Sequence, residues 1–289
     1  MSISMTSTVA VVSNKLRRSS VWRQNWSGLI AAAILGVVVV ASLASPLIAR
    51  DPLIMDLANP FEKPSLTNLF GTDEFGRDLL SRVLYGTRVS VAIAAVVVVV
   101  ASAIGVPMGL LAGYFGGLTD SVIMRIVDVI LSFPAILLAL VLVAILGPGA
   151  TNGMIAVVIV SIPAFARLVR ASTVQQLGME YVLAARAVGA SDFRIMLRAI
   201  LPNCLAPVLV QAVINAGQAI LIEAALSFLG LGINPPTPSL GQMLNTGRLY
   251  MYRASWYGLF PGLALTILVL SLNMLANTGQ KLISRGKIL

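Results

Sequence analysis

Two features of this chain place reactive or recognising side chains in unusual surroundings. The first is Glu223, a carboxylate about two turns inside the outer end of an apolar run, with no Lys or Arg at helical spacing. At that depth a carboxylate has to face a water-filled cavity or a hydrogen-bonding neighbour. Its chemistry is therefore either contact along a translocation path or an inter-helix hydrogen bond. The second feature is the polar, Arg-studded stretch Tyr181–Pro202, which lies between two long apolar runs. Tyr181, Ala184, Ala185 and Val188 fall at i, i+3, i+4 and i+7, the spacing of one helix face. Gly189 breaks that helix, and Ala190-Ser191-Asp192 can start another with Ser191 or Asp192 as N-cap. Small residues at such a bend let another protein's surface approach the backbone closely. Taken by itself, the pattern also fits an ordinary amphipathic loop lying on a membrane.

Other chemistries lack their residues. With no His and one Cys, Cys204, the chain has neither a zinc ligand set nor an internal disulfide. No Gly-x-x-x-x-Gly-Lys-[Ser/Thr] phosphate loop occurs; Arg285-Gly286-Lys287-Ile288 is the nearest approach. Paired carboxylates and Ser–base arrangements are missing, which argues against an intramembrane enzyme. A secondary transporter needs ion-coupling carboxylates near the midplane, and only Glu223 is a candidate.

The elements that hold these residues follow from composition. The 289 residues are 58% hydrophobic and 11% charged, with a mean hydropathy of +0.93, far more apolar than a soluble domain needs. Six segments approach the roughly 20 residues needed to cross hydrocarbon. They lie at about 28–48, 88–113, 124–146, 153–171, 206–230 and 258–279. Each must be a helix, because a spanning segment satisfies its own backbone hydrogen bonds. The first is too long for a signal-peptide core and lacks an Ala-x-Ala site, so it is expected to be a retained anchor. Residues 1–24 are expected to form a mobile cytoplasmic tail, and residues 25–289 one transmembrane domain.

The net charge of +9 is scattered over short loops without an aromatic-rich basic stripe, which disfavours nucleic acid as a partner. With both termini inside, thirteen of the 20 basic residues fall on the cytoplasmic side, among them Arg167, Arg170, Arg186, Arg194 and Arg198. That bias predicts cytoplasmic termini. Around the spans, 78–85 is expected to be a helix lying on the outer membrane surface. Arg125 and Asp128 are expected to pair on one helix face. Tyr250, Tyr252 and Trp256 are expected as exposed interface aromatics in a loop at 231–257.

The segment 172–205 resembles the "EAA loop" of ABC-importer permeases. Ala184, Ala185, Gly189, Leu201 and Pro202 stand at matching spacing, while Leu183 replaces the family Glu and Ala199 the family Ile. Phe70-Gly-Thr-Asp-Glu-Phe-Gly-Arg-Asp78, Gly113-Tyr-Phe-Gly-Gly-Leu-Thr-Asp120 and Ala224-Ala-Leu-Ser-Phe-Leu-Gly-Leu-Gly232 are similar to other parts of the oligopeptide/dipeptide/nickel permeases, particularly their C-type subunit. The resemblance covers about residues 25–280. It implies an all-α integral membrane protein with six spans and the type I importer permease fold, in a bacterial cytoplasmic membrane. Ala184, Ala185, Gly189, Ala190, Ser191, Asp192, Phe193 and Arg194 would then contact an ATPase. The resemblance further implies a second homologous permease, two ATPase subunits carrying ATP and Mg, an extracytoplasmic binding protein, and peptide cargo, with nickel or another small solute as the alternative. It implies no cofactor or metal on this chain.

Overall fold

The computed structural model describes residues 26–286, so the expected tail at 1–24 lies outside the described residues. The regular structure among the described residues is helical, apart from one isolated bridge between Thr72 and Asp78. In order, α1 is Trp26–Leu43, α2 Ser45–Ile48, α3 Leu79–Phe115, α4 Gly117–Leu131, α5 Ala135–Leu146 and α6 Ala150–Leu177. Then come α7, Glu180–Ala187; α8, Asp192–Phe228; α9, Leu240–Leu249; and α10, Ser255–Gly286. Helix α8 has an inserted π-helical stretch at Ile195–Ile200.

Five of these helices, α1, α3, α6, α8 and α10, are long and apolar enough to cross a membrane. The sixth expected span, 124–146, is a pair of helices, α4 and α5, bent by 90° at the break between them. Pro134 has no N–H to offer Ile130, and its ring disfavours helical geometry at Phe133. Ser132 reinforces the break, because its hydroxyl donates to the carbonyls of Asp128 and Val129 at 2.9 and 2.8 Å. The apolar composition of 124–146 foretold a crossing but concealed the bend.

The centre of the bundle is a seam between α3 and α6. Gly105, Gly109 and Gly113 recur every four residues on α3, and each lies directly against α6. A Cβ at Gly109 would come within 2.3 Å of the Ala166 carbonyl oxygen, and one at Gly105 within 2.7 Å of that of Ile162. Small residues permit this backbone contact, which replaces side-chain interdigitation in lipid-solvated bundles. Val97, Ala101, Val157, Phe165 and Ile220 fill the core around the seam. Helix α1 closes on α10, where Gly28 abuts Thr278.

The end at which α3 begins carries a folded cap, residues 49–78, rather than a surface helix. The stretch 78–85 is continuous with α3, correcting the expectation of a helix on the membrane surface. Leu79 and Val83 are buried with Leu240, Met243 and Tyr257. Asp78 caps the helix, its carboxylate accepting from the Ser81 amide at 2.9 Å. Within the cap Asp73 is fully buried, paired with Arg77 at 2.6 Å and Arg82 at 3.3 Å. The expected loop at 231–257 contains α9. Of its aromatics only Tyr252 stands free; Tyr250 packs on Phe61, and Trp256 joins the cap's apolar cluster.

Candidate functional site

The opposite end of the bundle carries the bend. Helix α7 terminates in a closed backbone motif. The Gly189 amide donates to the Arg186 carbonyl at 3.0 Å, and the Ala190 amide reaches back to Ala185 at 3.0 Å. This pairing is the Schellman arrangement, which requires its first donor to be left-handed, and Gly189 has φ +77°. The interval from Ala185 to Gly189 and Ala190 is thus the interval of a helix stop. Space around Gly189 is open, so backbone conformation alone demands glycine there.

The chain restarts at Asp192, with Ser191 in the N-cap position as expected but without a side-chain cap bond. The Asp192 carboxylate is engaged elsewhere: it accepts a 2.5 Å hydrogen bond from the Tyr114 hydroxyl on the last turn of α3. The Arg186 guanidinium of α7 lies 5.6 Å from the centre of the same tyrosine ring. Tyr114 therefore joins α3 to both arms of the bend. Sequence reasoning gave it no role, although it falls within the Gly113–Asp120 stretch that resembles the permeases. On the other side, Tyr181 donates to Gln176 at 2.6 Å and accepts from Asn203 at 3.2 Å. Burial pushes the Tyr181 phenol above its ordinary pKa, so it stays a donor at neutral pH. Val182 is fully buried, as are Ile195 and Ile200 of the π stretch.

The outer side of the bend mixes bare apolar and polar side chains. Ala184, Gly189, Ser191, Asp192, Phe193 and Arg194 are exposed, and Ala185 and Ala190 half-buried. Val188 is 83% and Phe193 69% exposed, on either side of the glycine, with Leu183 exposed nearby. All eight residues expected at the docking contact are thus brought together on one short segment.

Behind the bend, two ion pairs hold α4 to α6. Arg170 forks onto Asp120 through both its Nε and Nη2. Arg167 reaches Asp128 at 2.6 Å, so the partner of Asp128 is Arg167 across the helix gap and not the expected Arg125.

Glu223 is at the cap end of α8, remote in the fold from the bend, and only 5% exposed. Its carboxylate accepts from Ser227 at 2.8 Å, from Ser90 of α3 at 3.0 Å and from Ser239, just before α9, at 3.4 Å. Gly241 makes the approach of α9 possible, since a Cβ there would lie 2.1 Å from the Ala224 carbonyl oxygen.

Residues 105–288 match the family model described as "Binding-protein-dependent transport system inner membrane component". The chain belongs to this family. It is the permease half of an ABC importer for peptide-like solutes, in the C-type branch of the peptide and nickel permeases. The permease is 40% identical over 264 residues to the dipeptide transport system permease protein DppC of Haemophilus influenzae, with 89% of each chain covered. It is 44% identical over 256 residues to the glutathione transport system permease protein GsiD of Escherichia coli, covering 88% of this chain and 84% of that one. Among solved structures, a chain of the MetNI methionine ABC transporter in an inward-facing conformation aligns with a TM-score of 0.56 at 21% identity. That alignment covers 72% of the permease and 97% of the transporter chain. At such low identity the likeness bears on the fold alone.

Proposed function

We propose that the permease forms half of a translocation pathway for di- or oligopeptides and is driven by a separate ATPase gripping residues 172–205. The exposed pair Val188 and Phe193 carries this reading, because the surrounding backbone is fixed while their side chains have nothing to cover them. A rigid bend transmits displacement, whereas a loose loop would absorb it. The full assembly comprises a second, homologous permease, two ATPase subunits holding ATP and Mg, and an extracytoplasmic substrate-binding protein. Both termini lie in the cytoplasm, a placement supported by the basic residues clustered at the bend end. Supporting the cargo class are the relatives named as dipeptide, di/tripeptide and glutathione permeases.

Of the two roles its sequence left open, Glu223 takes the inter-helix one. Support comes from its three serine partners on α3, on α8 and before α9. It closes the cap end of the path without touching cargo.

The decisive experiment is co-purification of the ATPase subunits with wild-type permease and with Phe193→Asp, followed by uptake of a dipeptide, glutathione and nickel into proteoliposomes. Retained ATPase and undiminished uptake in the variant would remove the docking assignment. Uptake of nickel without either peptide would replace the cargo.

A further inference from the structure

The middle of the bundle holds an open cleft of about 470 Å³ where the α4–α5 break faces α6 and α8. Its volume is in the range of small-ligand sites. Phe133 and Ile136 line it from the break, Ser161 from α6, and Gln211 and Gln218 from α8. Phe133, Ser161 and Gln218 each fall near the centre of their expected spans, and Gln211 about two turns nearer the bend end, so the cleft lies within the membrane-crossing part of the bundle.

Gln218 is exposed there, and its amide has no hydrogen-bond partner among the described residues. An unsatisfied amide in hydrocarbon costs several kcal/mol, so this face does not meet lipid. The outward positions Val96, Val99 and Ile104 on α3, and Leu263, Ile267 and Leu270 on α10, are aliphatic, while Asn273 on α10 is a further exposed amide. The amides are also built in. Asn215, buried to 1% exposure, donates to the Ser161 carbonyl at 3.3 Å and accepts from Gln211 Nε2 at 3.0 Å. Gln211, Asn215 and Gln218 therefore form one stripe at i, i+4 and i+7, anchored to α6 by its middle member.

No charged side chain lines the cleft. The ion pair closest in sequence to its lining, Asp128 with Arg167, is about one turn toward the bend end and internally neutralised.

We propose that Gln211 and Gln218 form the cargo-contacting face of the pathway, two uncharged amides on a mostly apolar wall that hydrogen-bond peptide groups while remaining indifferent to side-chain charge. The inference rests on the peptide-transport reading and adds to it the residues that meet the cargo. Neutral donors and acceptors suit a chain whose repeating unit is an amide, whereas a fixed charge would favour one class of side chain over another.

The test uses the complete transporter in proteoliposomes on a Cys204→Ala background. Gln218→Cys is expected to react with a membrane-impermeant thiosulfonate about tenfold faster than Val99→Cys, since thiolate formation requires water. Equal rates would place the face against lipid or against the second permease and overturn the proposal. In a second arm, Gln218→Glu is expected to shift the uptake ratio of a lysyl over an alanyl dipeptide by about fivefold, the effect of one unit charge about 4 Å away in water-like surroundings. An unchanged ratio in a transporting complex likewise overturns it. A wild-type complex that moves neither dipeptide defeats the cargo assignment instead, and the labelling arm then decides the lining alone.

Discussion

The Tyr114 hydroxyl donates to the Asp192 carboxylate at 2.5 Å, joining the last turn of α3 to the first residue of α8. With Arg186 over the same ring, one aromatic side chain fixes the bend to the bundle. A hydrogen bond to an ionised group contributes about 1.5–3 kcal/mol. Tyr114→Phe should keep the fold and the ring contact while loosening this joint. The expected result is ATP hydrolysis close to wild type with uptake reduced about tenfold, as a loss near 1.4 kcal/mol implies. The measurement is solute moved per ATP hydrolysed, and an unchanged ratio would show that the joint transmits nothing.

Gly189 is held left-handed in open space, so its substitutions separate conformation from crowding. A left-handed conformation costs an ordinary residue roughly 1–2 kcal/mol, and Asn less. Gly189→Asn should retain ATPase co-purification; Gly189→Val should lose most of it. Equal retention by both would mean that the shape of the helix stop is immaterial to docking.

The glycine seam should tolerate nothing larger. Gly109→Leu would drive its side chain into the Ala166 carbonyl, and no full-length folded bundle is expected in detergent. Gly36→Ala on α1 meets nothing within 4 Å and serves as the neutral control. The two should separate cleanly by size-exclusion profile; a monodisperse Gly109→Leu protein would contradict the seam.

Removing the Glu223 carboxylate takes away the acceptor of three serine hydroxyls at the junction of α3, α8 and α9. A buried group left unsatisfied costs about 1–3 kcal/mol. Glu223→Ala should therefore shorten the thermal half-life in detergent more than Ser239→Ala, which gives up only the 3.4 Å contact. Should Glu223→Ala block uptake at unaltered thermal stability, the carboxylate would belong to the path instead.

Composition and apolar run length were enough to locate the five long apolar helices and the bent pair α4–α5, because the lipid requirement acts on each segment separately. The Gly189 bend was equally legible, since a glycine at a helix stop is a local requirement. What escaped were features decided between segments. The backbone seam at Gly105, Gly109 and Gly113 is visible only once α6 lies against α3. Asp128 chose Arg167 across a helix gap over Arg125 on its own helix, and the stretch 78–85 joined α3 when the cap covered Leu79 and Val83. Glu223 showed its depth in the sequence but not its serines, two of which are far from it along the chain.

Because Gly105, Gly109 and Gly113 bring the α3 backbone directly against α6, the two helices have almost no room to slide or to change their separation. They amount to a single stiff strut running from the bend to the cap. A push delivered at residue 192 enters that strut through Tyr114 and should emerge at the far end with little loss. On the coupling role proposed above, the compliance lies where helical geometry is interrupted outside that strut, as at Ser132–Pro134 and Ile195–Ile200, and the stroke is taken up there.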